Sequence, residues 1–88
     1  MPPSPRMRVV HRTLSAGMEG DEVRELHDEL EALHFFIPPA ERLTGFFGPY
    51  TKKAVMQVQR SRFAESRVTG IVDQATANLI DAEVRFRR

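Results

Sequence analysis

Val23, Leu26, Leu30 and Leu33 recur at i, i+3, i+7 and i+10, the spacing that lines up one side of an α-helix, while Arg24, Glu25, Asp28 and Glu29 fill the opposite side. The pattern predicts a helix from about Asp21 to His34. Asp21 reads as its N-cap, with further acids in the first turn where the helix dipole favours them. Phe35, Phe36 and Ile37 prolong the apolar run as far as Pro38-Pro39, where the helix cannot persist. Residues 38–44 then read as a loop. A second stripe, Ala54, Val55 and Val58, predicts a helix from Pro49 to about Arg62, because proline suits a first helical position where its missing N–H would be unpaired anyway. A third helix is capped by Asp73, turns Thr76, Leu79 and Ile80 inward, and runs through Val84 towards Phe86. Upstream, Gly17 and Gly20 punctuate the chain, and Val9, Val10 and Leu14 suit an extended arm lying against the domain.

Two of the helix starts share a spacing. Thr44-Gly-Phe-Phe-Gly-Pro-Tyr-Thr51 and Thr69-Gly-Ile-Val-Asp-Gln-Ala-Thr76 place Thr, Gly and Thr in register, with two apolar residues after each glycine. Gly45 and Gly70 permit a turn at φ > 0, Phe47 and Val72 anchor it in the core, and Gly48 and Asp73 cap the helix that follows. Thr51 and Thr76 stand three residues on, where a hydroxyl returns a hydrogen bond to the cap. The expected fold is all-α, a small three-helix orthogonal bundle with an internal pseudo-repeat. Its expected limits are residues 14–84, with a flexible or extended arm over 1–13 and a basic tail over 85–88.

Composition narrows the class. At 88 residues the chain holds one small domain, and 41% hydrophobic with 28% charged residues is ordinary for a folded one. The absence of cysteine excludes disulfides and thiolate metal sites. No apolar run approaches the ~20 residues that span a bilayer. The N-terminal segment is basic but lacks an apolar core of the signal-peptide kind, so export is expected only through a larger parent chain. Net charge is +1, which favours no polyanionic partner. Charge is nevertheless segregated: residues 15–41 carry eight acids against Arg24 alone, and residues 42–67 carry six bases against Glu65 alone. The two segments read as complementary solvated faces.

Enzymatic constellations are missing. Ser15, Ser61 and Ser66 have no base with an orienting acid in sequence reach, and no metalloprotease, phosphate-loop or dinucleotide motif occurs. His27, Glu31 and His34 share a helix face, but the two histidines stand about 10 Å apart by helix rise, too far to chelate one ion. They read as partly buried packing residues. No metal and no cofactor are expected. Lys52, Lys53, Arg60 and Arg62 on the second helix can touch phosphate, yet the acidic first helix adjoins them, so nucleic acid is not the expected partner.

The motifs resemble a known family. Peptidoglycan-binding domains run Gly-x-x-Gly-x-x-Val-x-x-Leu-Gln-x-x-Leu, then Asp-Gly-x-Phe-Gly-x-x-Thr-x-x-Ala-Val-x-x-Phe-Gln, then Asp-Gly-x-Val-Gly-x-x-Thr-x-x-x-Leu. This chain is similar through Gly17, Gly20, Val23, Leu26 and Leu30, then Gly45, Phe47, Gly48, Thr51, Ala54, Val55 and Gln59, then Gly70, Val72, Thr76 and Leu79. It departs at His27 (usually Gln), at His34 (where Gly commonly follows the helix), at Thr44 and Thr69 (usually Asp), at Val58 (usually Phe) and at Asp73 (usually Gly). The resemblance implies a non-catalytic binding module that recognises bacterial cell-wall peptidoglycan or its stem peptides, monomeric, acting in the cell envelope or outside the cell. Its alternative is a protein–protein interaction module of a larger secreted, envelope or phage-like assembly, with Phe35, Phe36, Phe46 and Tyr50 as the contact patch.

Candidate ligand residues follow from what the fixed positions leave over. Phe47 and Thr51 take structural roles, so Phe46 and Tyr50 are expected to point outward near the start of the second helix, where aromatic faces stack on sugars. Helix N-terminal N–H groups and Lys53 are placed to meet a peptide carboxylate. Lys53, Gln57 and Arg60 recur at i, i+4 and i+7 on one face, and Arg42 is expected beside them as part of an anion-attracting surface.

Overall fold

The first helix, α1 (Asp21–Ala32), buries Val23, Leu26 and Leu30 completely, the stripe that its sequence period marks. The computed structural model describes residues 13–87; residues 1–12 of the arm expected over 1–13, and the terminal Arg88, lie outside them. The cap of α1 is Gly20 and not Asp21. Asp21 is the first helical residue, and its exposed carboxylate takes Arg24 at 3.3 Å instead of capping the backbone. The helix ends at Ala32 with Leu33 as C-cap, short of the expected His34. The N–H of His34 donates to the Glu31 carbonyl at 2.8 Å and that of Phe35 to the Leu30 carbonyl at 3.0 Å, the paired bonds that close a helix through a left-handed residue. His34 is that residue, at φ 75°.

Residues 38–44, expected as a loop, contain a single helical turn, α2 (Pro39–Arg42). Pro38 ends the preceding segment, while Pro39 at the first helical position starts a new one, and the Pro38 carbonyl accepts from both Glu41 and Arg42 at 2.9 Å. Next, α3 (Pro49–Arg62) begins after Gly48, as the sequence predicts, and stops at Phe63, over whose ring the Arg67 guanidinium stacks at 4.4 Å. A 3₁₀ turn over Glu65–Arg67 leads to α4 (Gln74–Arg87).

The fold is all-α. The three long helices α1, α3 and α4 pack pairwise on one another around a core that includes Phe47, Val55, Val72, Ala77, Ile80 and Val84. Burying a ring as fully as Phe47 contributes on the order of 2–3 kcal/mol. The chain preceding α1 clips both helix starts together. Leu14 and Val72 exchange hydrogen bonds at 3.0 and 2.8 Å, while Gly17 donates to Phe47, Phe47 to Met18 and Gly20 to Gly45. Gly45 at φ 65° and Gly70 at φ 77° supply the left-handed turns that return the chain at these points, as expected.

Candidate functional site

A groove crosses the exposed side of α3. At one end Phe36, from the α1–α2 connection, meets Tyr50 edge to face, ring centres 6.2 Å apart, although both rings stand largely in solvent. They line a recess of about 80 Å³ together with Phe35, Lys53, Ala54 and Gln57. Phe35 and Gln57 also line a neighbouring cavity of about 370 Å³, whose further walls are Leu33, Val58, Ser61, Arg62 and Glu83. The two cavities therefore share Phe35 and Gln57 as common wall. At the far end Arg62 holds Glu83 at 2.9 Å, and beyond that pair lies a hollow beside Leu79 and Phe86. Phe36 and Tyr50 thus form an adjacent pair of exposed rings, not single scattered ones.

Beneath the groove, a buried polar network fixes the start of α3. The Glu41 carboxylate accepts from the amides of Gly48 (3.2 Å), Tyr50 (2.9 Å) and Thr51 (2.9 Å) and from the Thr51 hydroxyl (2.6 Å). Burial alone would raise the Glu41 pKa, but the bonds from the Thr51 hydroxyl and the amides of Tyr50, Thr51 and Gly48 outweigh it and hold the group below its ordinary 4.5. The Thr51 proton is committed to Glu41, so His27, fully buried on α1, donates from Nε2 to the Thr51 oxygen at 2.8 Å. Burial is the main reason that the His27 pKa lies below 6.5, and the Arg42 charge adds to it; Glu41, the Phe46 carbonyl and Glu31 pull the other way and lose.

At the start of α4 the cap is local. The Thr76 amide donates to the Asp73 carboxylate at 2.9 Å and is the chief cause of that carboxyl lying below 3.8; burial opposes it and the Thr76 hydroxyl assists. Gln59 of α3 ties this turn down through its amide group. Its oxygen accepts from the Thr69 and Gly70 amides, and its nitrogen donates to the Ile71 carbonyl and the Thr76 hydroxyl, all at 2.9–3.0 Å.

A family profile described as "Putative peptidoglycan binding domain" matches residues 19–80. The chain belongs to that family. No curated protein matches it. The family is one of binding domains, and its name points to the bacterial cell wall. The family residues resolve into structure: Phe47, Thr51, Val55, Gln59, Val72 and Thr76 are all buried, so what the family pattern marks is core, caps and turns.

Of the six candidate ligand residues, Tyr50, Lys53 and Gln57 come together in the groove. Phe46 is partly buried and bridges Glu19 through its backbone. Arg42 reaches across to α1 and pairs with Asp28 at 2.7 Å and Glu31 at 3.0 Å, and Arg60 lies 3.5 Å from Glu65. The helix N–H groups expected to meet a ligand carboxylate are already taken by Glu41. His27 is fully buried and His34 exposed, not both partly buried, because one points into the core from α1 and the other lies past the helix end. Among the described residues no group of His, Asp or Glu is arranged to hold a metal ion, and no helix is long and apolar enough to cross a membrane. By sequence Phe36 belongs to the apolar run before Pro38 and, as a functional residue, only to the alternative contact patch, since nothing local shows that its ring closes on Tyr50.

Proposed function

We propose that this chain is a non-catalytic module that holds peptidoglycan on the face built by Phe36, Tyr50, Lys53 and Gln57. The observation that carries the reading is the exposed aromatic pair beside Lys53, which makes no ion pair among the described residues, on a domain of this family. Apolar ring surface and a free cation together suit wall polymer, which offers sugar faces and peptide carboxylates. Phe46, Arg42 and Arg60 have structural or solvated roles in this reading.

The module spans residues 14–84, flanked by the arm over 1–13 and the basic segment 85–88, and acts as a monomer in the cell envelope or outside the cell. Its architecture is a three-helix orthogonal bundle in which one helix-start device is used twice. Support comes from the matching roles of Gly45 and Gly70, of Phe47 and Val72, and of Thr51 and Thr76, each threonine bonded to a side chain of the preceding long helix.

The same exposed rings also fit the second reading, contact with a protein in a larger secreted, envelope or phage-like assembly. Sedimentation with insoluble sacculi separates the two. Wall binding requires the purified chain to pellet with sacculi and Phe36→Ala/Tyr50→Ala to stay in the supernatant while keeping its helical circular dichroism. A wild-type chain that remains soluble refutes the wall reading, and a double variant that still pellets refutes the assignment of this face.

A further inference from the structure

The groove is longer than its aromatic end, and its charges are separated. Lys53, Gln57 and Ser61 stand at i, i+4 and i+8 on successive turns of α3; Lys53 lines one of the two neighbouring cavities, Ser61 the other, and Gln57 both. Lys53 and Ser61 are thus about 12 Å apart by helix rise. Between these polar positions Ala54, Val58, Leu33 and Phe35 supply apolar wall. At the far end Arg62 engages Oε2 of Glu83, whose side chain is mostly buried at 18% exposure, and the second Glu83 oxygen has no partner among the described residues.

We propose that this groove takes a short extended peptide, with a carboxylate at the Lys53 end and an amine at the Glu83 end. The proposal rests on the reading of this face as a wall contact and assigns the groove to the peptide part of the polymer, not to its sugar chain. An extended peptide advances about 3.3–3.6 Å per residue, so three or four residues cover the roughly 12 Å from Lys53 to Ser61, which shares a cavity wall with Glu83. The Gln57 amide, midway, offers both a donor and an acceptor to a peptide backbone. A neutral oligosaccharide has no charge for either end, and a wholly apolar occupant would strip water from Lys53 and Gln57 without replacing it.

Isothermal titration calorimetry with three probes tests the assignment: the tetrapeptide N-acetyl-L-Ala-γ-D-Glu-L-Lys-D-Ala, whose single amine is that of its lysine, the same peptide acetylated on that amine as well, and chitotetraose. The tetrapeptide with its lysine amine free is expected to bind best, with acetylation of that amine weakening it about 5-fold, the weight of one solvent-facing ion pair. Lys53→Gln weakens both peptides about 5-fold, and Glu83→Gln abolishes the difference between them. Equal affinity for the two peptides in the wild type overturns the proposal, as does binding of chitotetraose without the tetrapeptide. In those cases wild-type sedimentation with sacculi still stands for the broader wall reading, whereas loss of that sedimentation removes the broader reading itself.

Discussion

Replacing Glu41 by glutamine keeps the shape of the side chain and removes its charge, which isolates what the carboxylate does at the start of α3. In the wild type one buried carboxylate receives four hydrogen bonds, three from backbone amides that would otherwise be unpaired at a helix N-terminus. Glutamine leaves one carbonyl acceptor and turns an NH₂ group towards those donors. Losing a helix cap is worth about 0.5–2 kcal/mol, and a bond to a charged group about 1.5–3 kcal/mol, so the substitution should destabilise the domain by about 3 kcal/mol. For a domain of this size each kcal/mol moves Tm by about 4–8 °C, which predicts a fall of roughly 12–24 °C at pH 7, measured by circular dichroism. Glu65→Gln, at an exposed residue paired with Arg60, serves as the control and should move Tm by less than about 4 °C.

The pH dependence gives a second readout. Because Glu41 has a lower pKa folded than unfolded, its contribution is complete above the unfolded value near 4.5 and is lost as pH falls through the folded value. Glu41→Gln should therefore flatten the wild-type loss of stability below pH 4.5. A Tm change no larger than the control, or an acid limb of unaltered slope, would refute the capping role.

Three other outcomes follow from the same network and its surroundings. His34→Gly should raise stability by about 1 kcal/mol in thermal melts, because His34 holds a left-handed conformation at an exposed helix end where glycine carries no Cβ strain. Because burial holds the His27 pKa below 6.5, its contribution to stability is full above pH 6.5 and declines as pH falls below it; His27→Gln should remove that decline in Tm-against-pH curves. Thr76→Val should lose about 1–2 kcal/mol in urea unfolding, since it leaves the Gln59 amide nitrogen without one of its buried acceptors.

Much of the scaffold is legible locally because its signals are local. Pro49 after Gly48 marks a helix start by backbone chemistry alone, Asp73 caps the residue three positions on, and Gly45 and Gly70 announce positive φ without reference to anything distant. Glu41 is different. It reads as one acid among eight, and its role depends on α2 folding back so that a carboxylate reaches amides seven to ten residues away. Arg42 reads as a free cation for the same reason: the acids that take it, Asp28 and Glu31, lie a loop away on α1.

The groove shows the same division. Tyr50, Lys53 and Gln57 share a helix face, which periodicity reveals, whereas the opposite wall comes from Phe35 and Phe36, whose position is set by how α1 ends. His34 stands where the family usually has glycine, at the left-handed residue that closes α1, although its side chain reads as a packing residue of the helix. It carried no information about which ring the turn would deliver against Tyr50.

The claim that this face holds wall polymer is tested most directly by recording amide shifts of ¹⁵N-labelled protein as soluble peptidoglycan fragments are added. The account predicts shifts confined to Phe36, Tyr50, Lys53, Gln57 and their groove neighbours, growing with fragment concentration until the site is full. Shifts confined to the acidic face of α1, or none at saturating fragment, would contradict it.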